Sequence, residues 1–133
     1  MMDAVLAAGE RLAEALKAEN EALAALDLDR AAQLAARKVQ ASDAFAQATA
    51  AAARLNARAE GPVRVATERL AQALAALGQE NRRLLEDAIA LQSRVIETIA
   101  LATRPHAQAP GYGRGGRRRP APQVAALAVA TRA

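Results

Sequence analysis

The sequence predicts an all-α protein: an antiparallel three-helix bundle of coiled-coil character, with a long third helix and a flexible C-terminal tail. Three observations predict it. Apolar residues recur at helical three- and four-residue spacings from residue 1 to 104, and nothing in that stretch alternates with the period of a strand. Glu60-Gly61-Pro62 is the one clear break, with a glycine suited to the position past a helix end and a proline suited to the first turn of the next helix. Alanine supplies 40 of the 133 residues and Phe45 and Tyr112 are the only aromatics, so the core must be thin and its helices close together.

The first helix is expected over about residues 3–26. Asp3 is a suitable N-cap, and Val5, Leu12, Leu16, Leu23 and Leu26 form one stripe. Asp27 and Asp29 then favour a new helix start, because a carboxylate accepts from free backbone N–H groups and meets the positive end of the helix dipole. The second helix is expected over about 29–59, antiparallel to the first across a tight turn; a single helix running through 27–30 is the alternative. Its stripe is Leu34, Ala41, Phe45, Ala48, Ala52 and Leu55, with Phe45 as a core plug.

The third helix is expected over 63–103, about 60 Å long at 1.5 Å per residue. Leu70, Leu74, Leu77, Asn81, Leu84, Ala88, Leu91, Val95, Thr98 and Ala102 alternate steps of four and three without a slip, which is a heptad seam. Asn81 lies on that seam, where an amide can fix register at some cost in stability. Asn20 sits in a similar string, AENEAL, and a surface position is its default. Gly78 lies off the seam and is a candidate weak bend.

A second apolar row, Leu85, Ile89, Ile96 and Ile99 with Gln92 in the gap, runs beside the seam only in the C-terminal half, which holds all three isoleucines of the protein. Two adjacent stripes make a face wide enough for two partners. The first two helices, roughly 24 and 30 residues, are too short to cover a third of about 40, and the end left over is the apolar one. Leu84, Leu85, Ala88, Ile89, Leu91, Gln92, Val95, Ile96 and Ile99 are therefore the candidate binding face for another protein's amphipathic helix. The tail, residues 123–130 (QVAALAVA) or a second copy of the chain are the other candidates to cover it.

Charge divides the chain in two. Residues 1–104 hold 13 Lys/Arg and all 14 Asp/Glu, whereas residues 105–133 hold five arginines and no acid. The net charge of +4 belongs to the tail, which contains the string PGYGRGGRRRP. No cysteine is present, so disulfide and thiol chemistry are excluded. No signal peptide is evident at the start, and the longest uncharged window, Pro120–Thr131, is 12 residues and proline-broken, too short for a span of about 20. These features point to a soluble cytoplasmic protein. No enzyme motif is present: His106 is the only histidine, Glu86 and Asp87 are adjacent and about 100° apart on a helix, and no glycine-rich phosphate loop occurs. No metal, cofactor or small-molecule substrate is expected.

Four stretches together resemble the FlgN family of flagellar type III export chaperones: EALKAENEALAALDLDRAAQLAARK in the first two helices, LGQENRRLLEDAIALQSRVIETIA in the third, YGRGGR at Tyr112–Arg117, and the overall layout and size. The resemblance implies a cytoplasmic chaperone for the hook–filament junction proteins, FlgK and FlgL, that holds a partner's amphipathic segment before secretion. It implies client binding by the half-helix Leu84–Ile99. It also implies docking at the export-gate component FlhA by Tyr112, which matches the family's tail tyrosine. The arginine cluster Arg117–Arg119 and the alanine-heavy second helix depart from the family pattern. Two other readings compete. One is a coiled-coil structural or adaptor protein dimerising through the third-helix seam. The other is weak, salt-sensitive nucleic-acid binding by the arginine–glycine tail.

Overall fold

The computed structural model describes residues 1–104, which form three helices and no strand. Helix α1 spans Met2–Ala24, α2 spans Leu28–Arg54 and α3 spans Gly61–Thr103. Glu19 of α1 meets Lys38 of α2, while Gly9 of α1 faces Phe45, so the first two helices run antiparallel. Gly9 also faces Leu70, and Asn20 meets Leu77 and Asn81, so α1 and α3 run parallel. Helix α1 is the middle member, with nine buried residues against three on each of its neighbours.

The break at 27–30 is real, and its chemistry is local. Leu26 takes a left-handed backbone at φ 57°, its N–H donates to the Leu23 carbonyl at 3.0 Å, and the Asp27 N–H donates to the Ala22 carbonyl at 2.9 Å. This pair of bonds satisfies carbonyls that the helix end leaves free. Asp27 then caps α2, accepting from the Arg30 N–H at 3.3 Å, and Asp29 lies in its first turn. Helix α2 closes by the same device: Asn56 at φ 52° donates to Ala53, and Ala57 donates to Ala52. It therefore stops at Arg54, five residues before the expected end, because Asn56 tolerates the left-handed conformation that terminates it. The stripe residues Leu26 and Leu55 fall in these two turns and are exposed. At the start of α1 the cap is Met1 without a side-chain bond, and Asp3 lies in the first turn.

The best-packed apolar cluster joins all three helices at the α1–α2 turn: Ala22, Leu23, Ala31, Leu85 and Ala88, with Leu28, Leu34, Ala35 and Leu84 against it. At the other end Gly9 admits the neighbouring helices. A Cβ there would stand 2.5 Å from Leu70 Cδ2 and 3.0 Å from Phe45 Cε1. Phe45 is thus a half-buried plug wedged over Gly9. Helix α3 continues without interruption through Gly78.

Candidate functional site

Two features distinguish the molecule. The first is a buried polar group halfway along the bundle. Glu19 and Asn20 come from α1, Lys38 from α2 and Asn81 from α3, with exposures of 0, 4, 2 and 5 %. The Lys38 ammonium donates to Glu19 Oε1 at 3.1 Å and to Asn81 Oδ1 at 3.1 Å. Asn81 Nδ2 donates to Glu19 Oε1 at 3.2 Å and to Asn20 Oδ1 at 2.9 Å, and Asn20 Nδ2 donates to the Leu77 carbonyl at 3.2 Å. Every helix contributes, α3 through the seam residue Asn81 and the Leu77 carbonyl. Asn20, expected at the surface, lies inside because its side chain bridges α1 to α3. One acceptor, Glu19 Oε2, is buried without a hydrogen bond among the described residues. A buried ion pair of this kind contributes little net stability, because desolvation offsets the attraction, but losing one partner is costly.

Beside this group, α2 and α3 leave a cavity of about 490 Å³ floored by Leu12 and Leu16 of α1. Its walls include Ser42 of α2 and Gly78, Arg82 and Glu86 of α3. Gly78 has nothing within 4 Å of where a Cβ would stand, so its missing side chain is part of the opening. Arg82 and Glu86 form an exposed ion pair at 3.2 Å on the rim, of the kind that contributes under about 1 kcal/mol.

The second feature is the end of α3. Past Ala88 none of its residues is buried. The 89–103 segment projects about 22 Å beyond the last core contact, at 1.5 Å per residue. The candidate face divides along its length. Leu85 and Ala88 belong to the core cluster, and Leu84 is half-buried against it. Ile89, Leu91 and Gln92 are half-buried at the edge. Val95, Ile96, Ile99 and Leu101 are bare, at 49, 38, 59 and 58 % exposure. Gln92 Oε1 is sheltered yet accepts no hydrogen bond among the described residues. Charges skirt this face rather than cross it: Arg83 pairs with Asp87 at 3.6 Å, and Arg94 and Glu97 are exposed. Large apolar side chains grouped on one projecting helix make it the candidate interaction surface.

The expectations for His106, Tyr112 and Arg117–Arg119 fall outside the described residues. Among the described residues, no cluster of three or more His, Cys, Asp or Glu side chains is placed to hold a metal ion. No helix among them is long and apolar enough to cross a membrane. What fold and site define is a three-helix module with a polar centre and an apolar projecting arm. No protein-family model, curated protein or solved structure matches this chain.

Proposed function

We propose that the chain is a helical export chaperone that holds an amphipathic helix of another protein on the projecting end of α3. The observation that carries this reading is the exposed apolar group Val95, Ile96 and Ile99 on one side of a helix that outruns its own hairpin. An arm of this kind can hold a partner helix by packing it along the two stripes, while the core cluster below Ala88 keeps the arm attached to a folded body. The resemblance to FlgN-type chaperones supplies the partner class: hook–filament junction proteins similar to FlgK and FlgL, received in the cytoplasm. On the same resemblance Tyr112 docks the loaded chaperone at FlhA. Reversible holding suits the geometry, since an open face on one helix buries less area than a closed interface.

Co-purification with the C-terminal segment of a candidate hook-associated protein tests the reading. Ile96→Asp and Ile99→Asp are expected to abolish capture while the fold survives, because neither residue contributes to the buried core. Undiminished capture by both variants removes the arm as the binding face. A second reading is favoured by the unbroken heptad seam through Leu91, Val95, Thr98 and Ala102: a structural dimer in which two arms pair. Sedimentation equilibrium separates the two, since the dimer reading requires a stable homodimer without any partner.

A further inference from the structure

The leucines of the α3 seam repeat at equal intervals: Leu70, Leu77, Leu84 and Leu91 are each seven residues apart. The α1–α2 hairpin sits on the first three. Leu70 lies over Gly9, the Leu77 carbonyl accepts from Asn20, and Leu84 packs on the cluster at the turn. Sliding the hairpin one heptad toward the C-terminus, about 10.5 Å at 1.5 Å per residue, puts Leu77, Leu84 and Leu91 in the same three places. Along that row the two seatings are equivalent. The six linker residues 55–60 can span the added distance, since an extended residue reaches about 3.3 Å.

Two differences break the tie: Gln92 would replace Leu85 in the core cluster, and the intervening row is not uniform. Its members are Leu74, Asn81, Ala88 and Val95. In the observed seating Asn81 meets Lys38, Glu19 and Asn20. One heptad along, Ala88 would face the buried ion pair and supply neither donor nor acceptor. Asn81 would move to the site of Leu74, in a cavity lined by Val5, Phe45 and Leu70. Leu74 is half-buried, so the larger cost falls on the buried ion pair, which would lose the donor and acceptor of Asn81; a single polar residue in an apolar seam is an established way to set register.

We propose that the Glu19–Asn20–Lys38–Asn81 group is a register lock. Together with the core position of Leu85, it selects, from two heptad-related seatings of the hairpin on α3, the one that leaves residues 89–103 beyond the buried core. The other seating would bring Val95 to the place of Ala88 and shorten the bare arm by one heptad, to about half. The lock therefore sets where the exposed face begins and how long it is. It accounts for a buried ion pair with an orphan oxygen in a core too thin to hold polar groups for their stability alone. The proposal holds whether or not the arm binds a client, and its test contains no partner.

The test uses a paramagnetic label on Ala25→Cys in the exposed α1–α2 turn, the only cysteine in the chain. Amide signals of α3 are broadened most where the turn rests, near Ala88 in the parent. The exchange variant Asn81→Leu/Ala88→Asn, made with Gln92→Leu so that both seatings offer a leucine to the core cluster, moves the amide one heptad, and the maximum is expected to move about seven residues, toward Val95. The variant Glu19→Leu/Asn20→Leu/Lys38→Met/Asn81→Leu, also made with Gln92→Leu, removes the lock, and broadening is expected to spread over both positions. A single maximum kept near Ala88 in either variant overturns the proposal. Loss of the helical fold in either also overturns it, because the lock is argued to choose between two folded arrangements.

Discussion

Replacing Lys38 by methionine tests the buried polar group most directly. Methionine keeps most of the apolar stem and removes the ammonium. Glu19, fully buried, then keeps only the amide of Asn81 as a donor and has no opposite charge within reach of Oε1. Stranding one member of a buried pair costs about 3–5 kcal/mol, against a total stability of about 5–15 kcal/mol for a typical domain. At about 4–8 °C per kcal/mol for a domain of this size, the melting temperature falls by about 12 °C or more. Replacing all four members together, Glu19→Leu, Asn20→Leu, Lys38→Met and Asn81→Leu, leaves no charge behind. That variant is expected to match the parent or exceed it by about 1–4 kcal/mol. Urea and thermal unfolding followed by circular dichroism measure both. The reasoning is refuted by a Lys38→Met variant within about 1 kcal/mol of the parent. It is equally refuted by a fourfold variant no more stable than Lys38→Met alone.

Three further outcomes concern single sites. Gly78→Ala is expected to stabilise the protein by about 1 kcal/mol, since it adds helix propensity where no atom lies within 4 Å; an unchanged urea midpoint contradicts it. Leu26→Asn relieves a bulky residue held at φ 57° in the α1–α2 turn and is expected to raise stability by about 1 kcal/mol, read by thermal melting. Leu85→Ala is expected to cost about 2–4 kcal/mol because Leu85 sits in the core cluster. Ile96→Asp, on the bare arm, is expected to change stability by less than about 0.5 kcal/mol while lowering the binding of an apolar dye.

Helical periodicity makes the three helices, the α3 seam and the overhang legible, because those properties depend on spacing alone. The polar centre is legible only at Asn81, which stands out as an amide on a leucine seam. Glu19 and Lys38 are single charges among many on alanine-rich helices. A signal is present all the same. The α1 stripe jumps from Leu16 to Leu23, and Glu19 stands in that gap. The α2 stripe jumps from Leu34 to Ala41, and Lys38 stands in that one. An acid and a base at the missing places of two stripes and an amide on the third belong together, yet only the antiparallel pairing brings the first two to one level. The end of α2 is masked because Gly61-Pro62 is a stronger sequence signal than Asn56, whose left-handed backbone stops the helix earlier. The division of the candidate face is not readable either. Whether Leu85 and Ala88 belong to the core or the arm depends on where the turn after Ala24 comes to rest.

The even spacing of the α3 leucines makes the arm adjustable in whole heptads. Seven residues inserted after Gln92 leave the core cluster and the half-buried edge in place and carry the tip about 10.5 Å further out. Seven removed from the same point draw it in by as much. Reach is thus a quantity that insertions and deletions can change without touching the folded body, and a set of such variants would serve as a molecular ruler for whatever the arm must span.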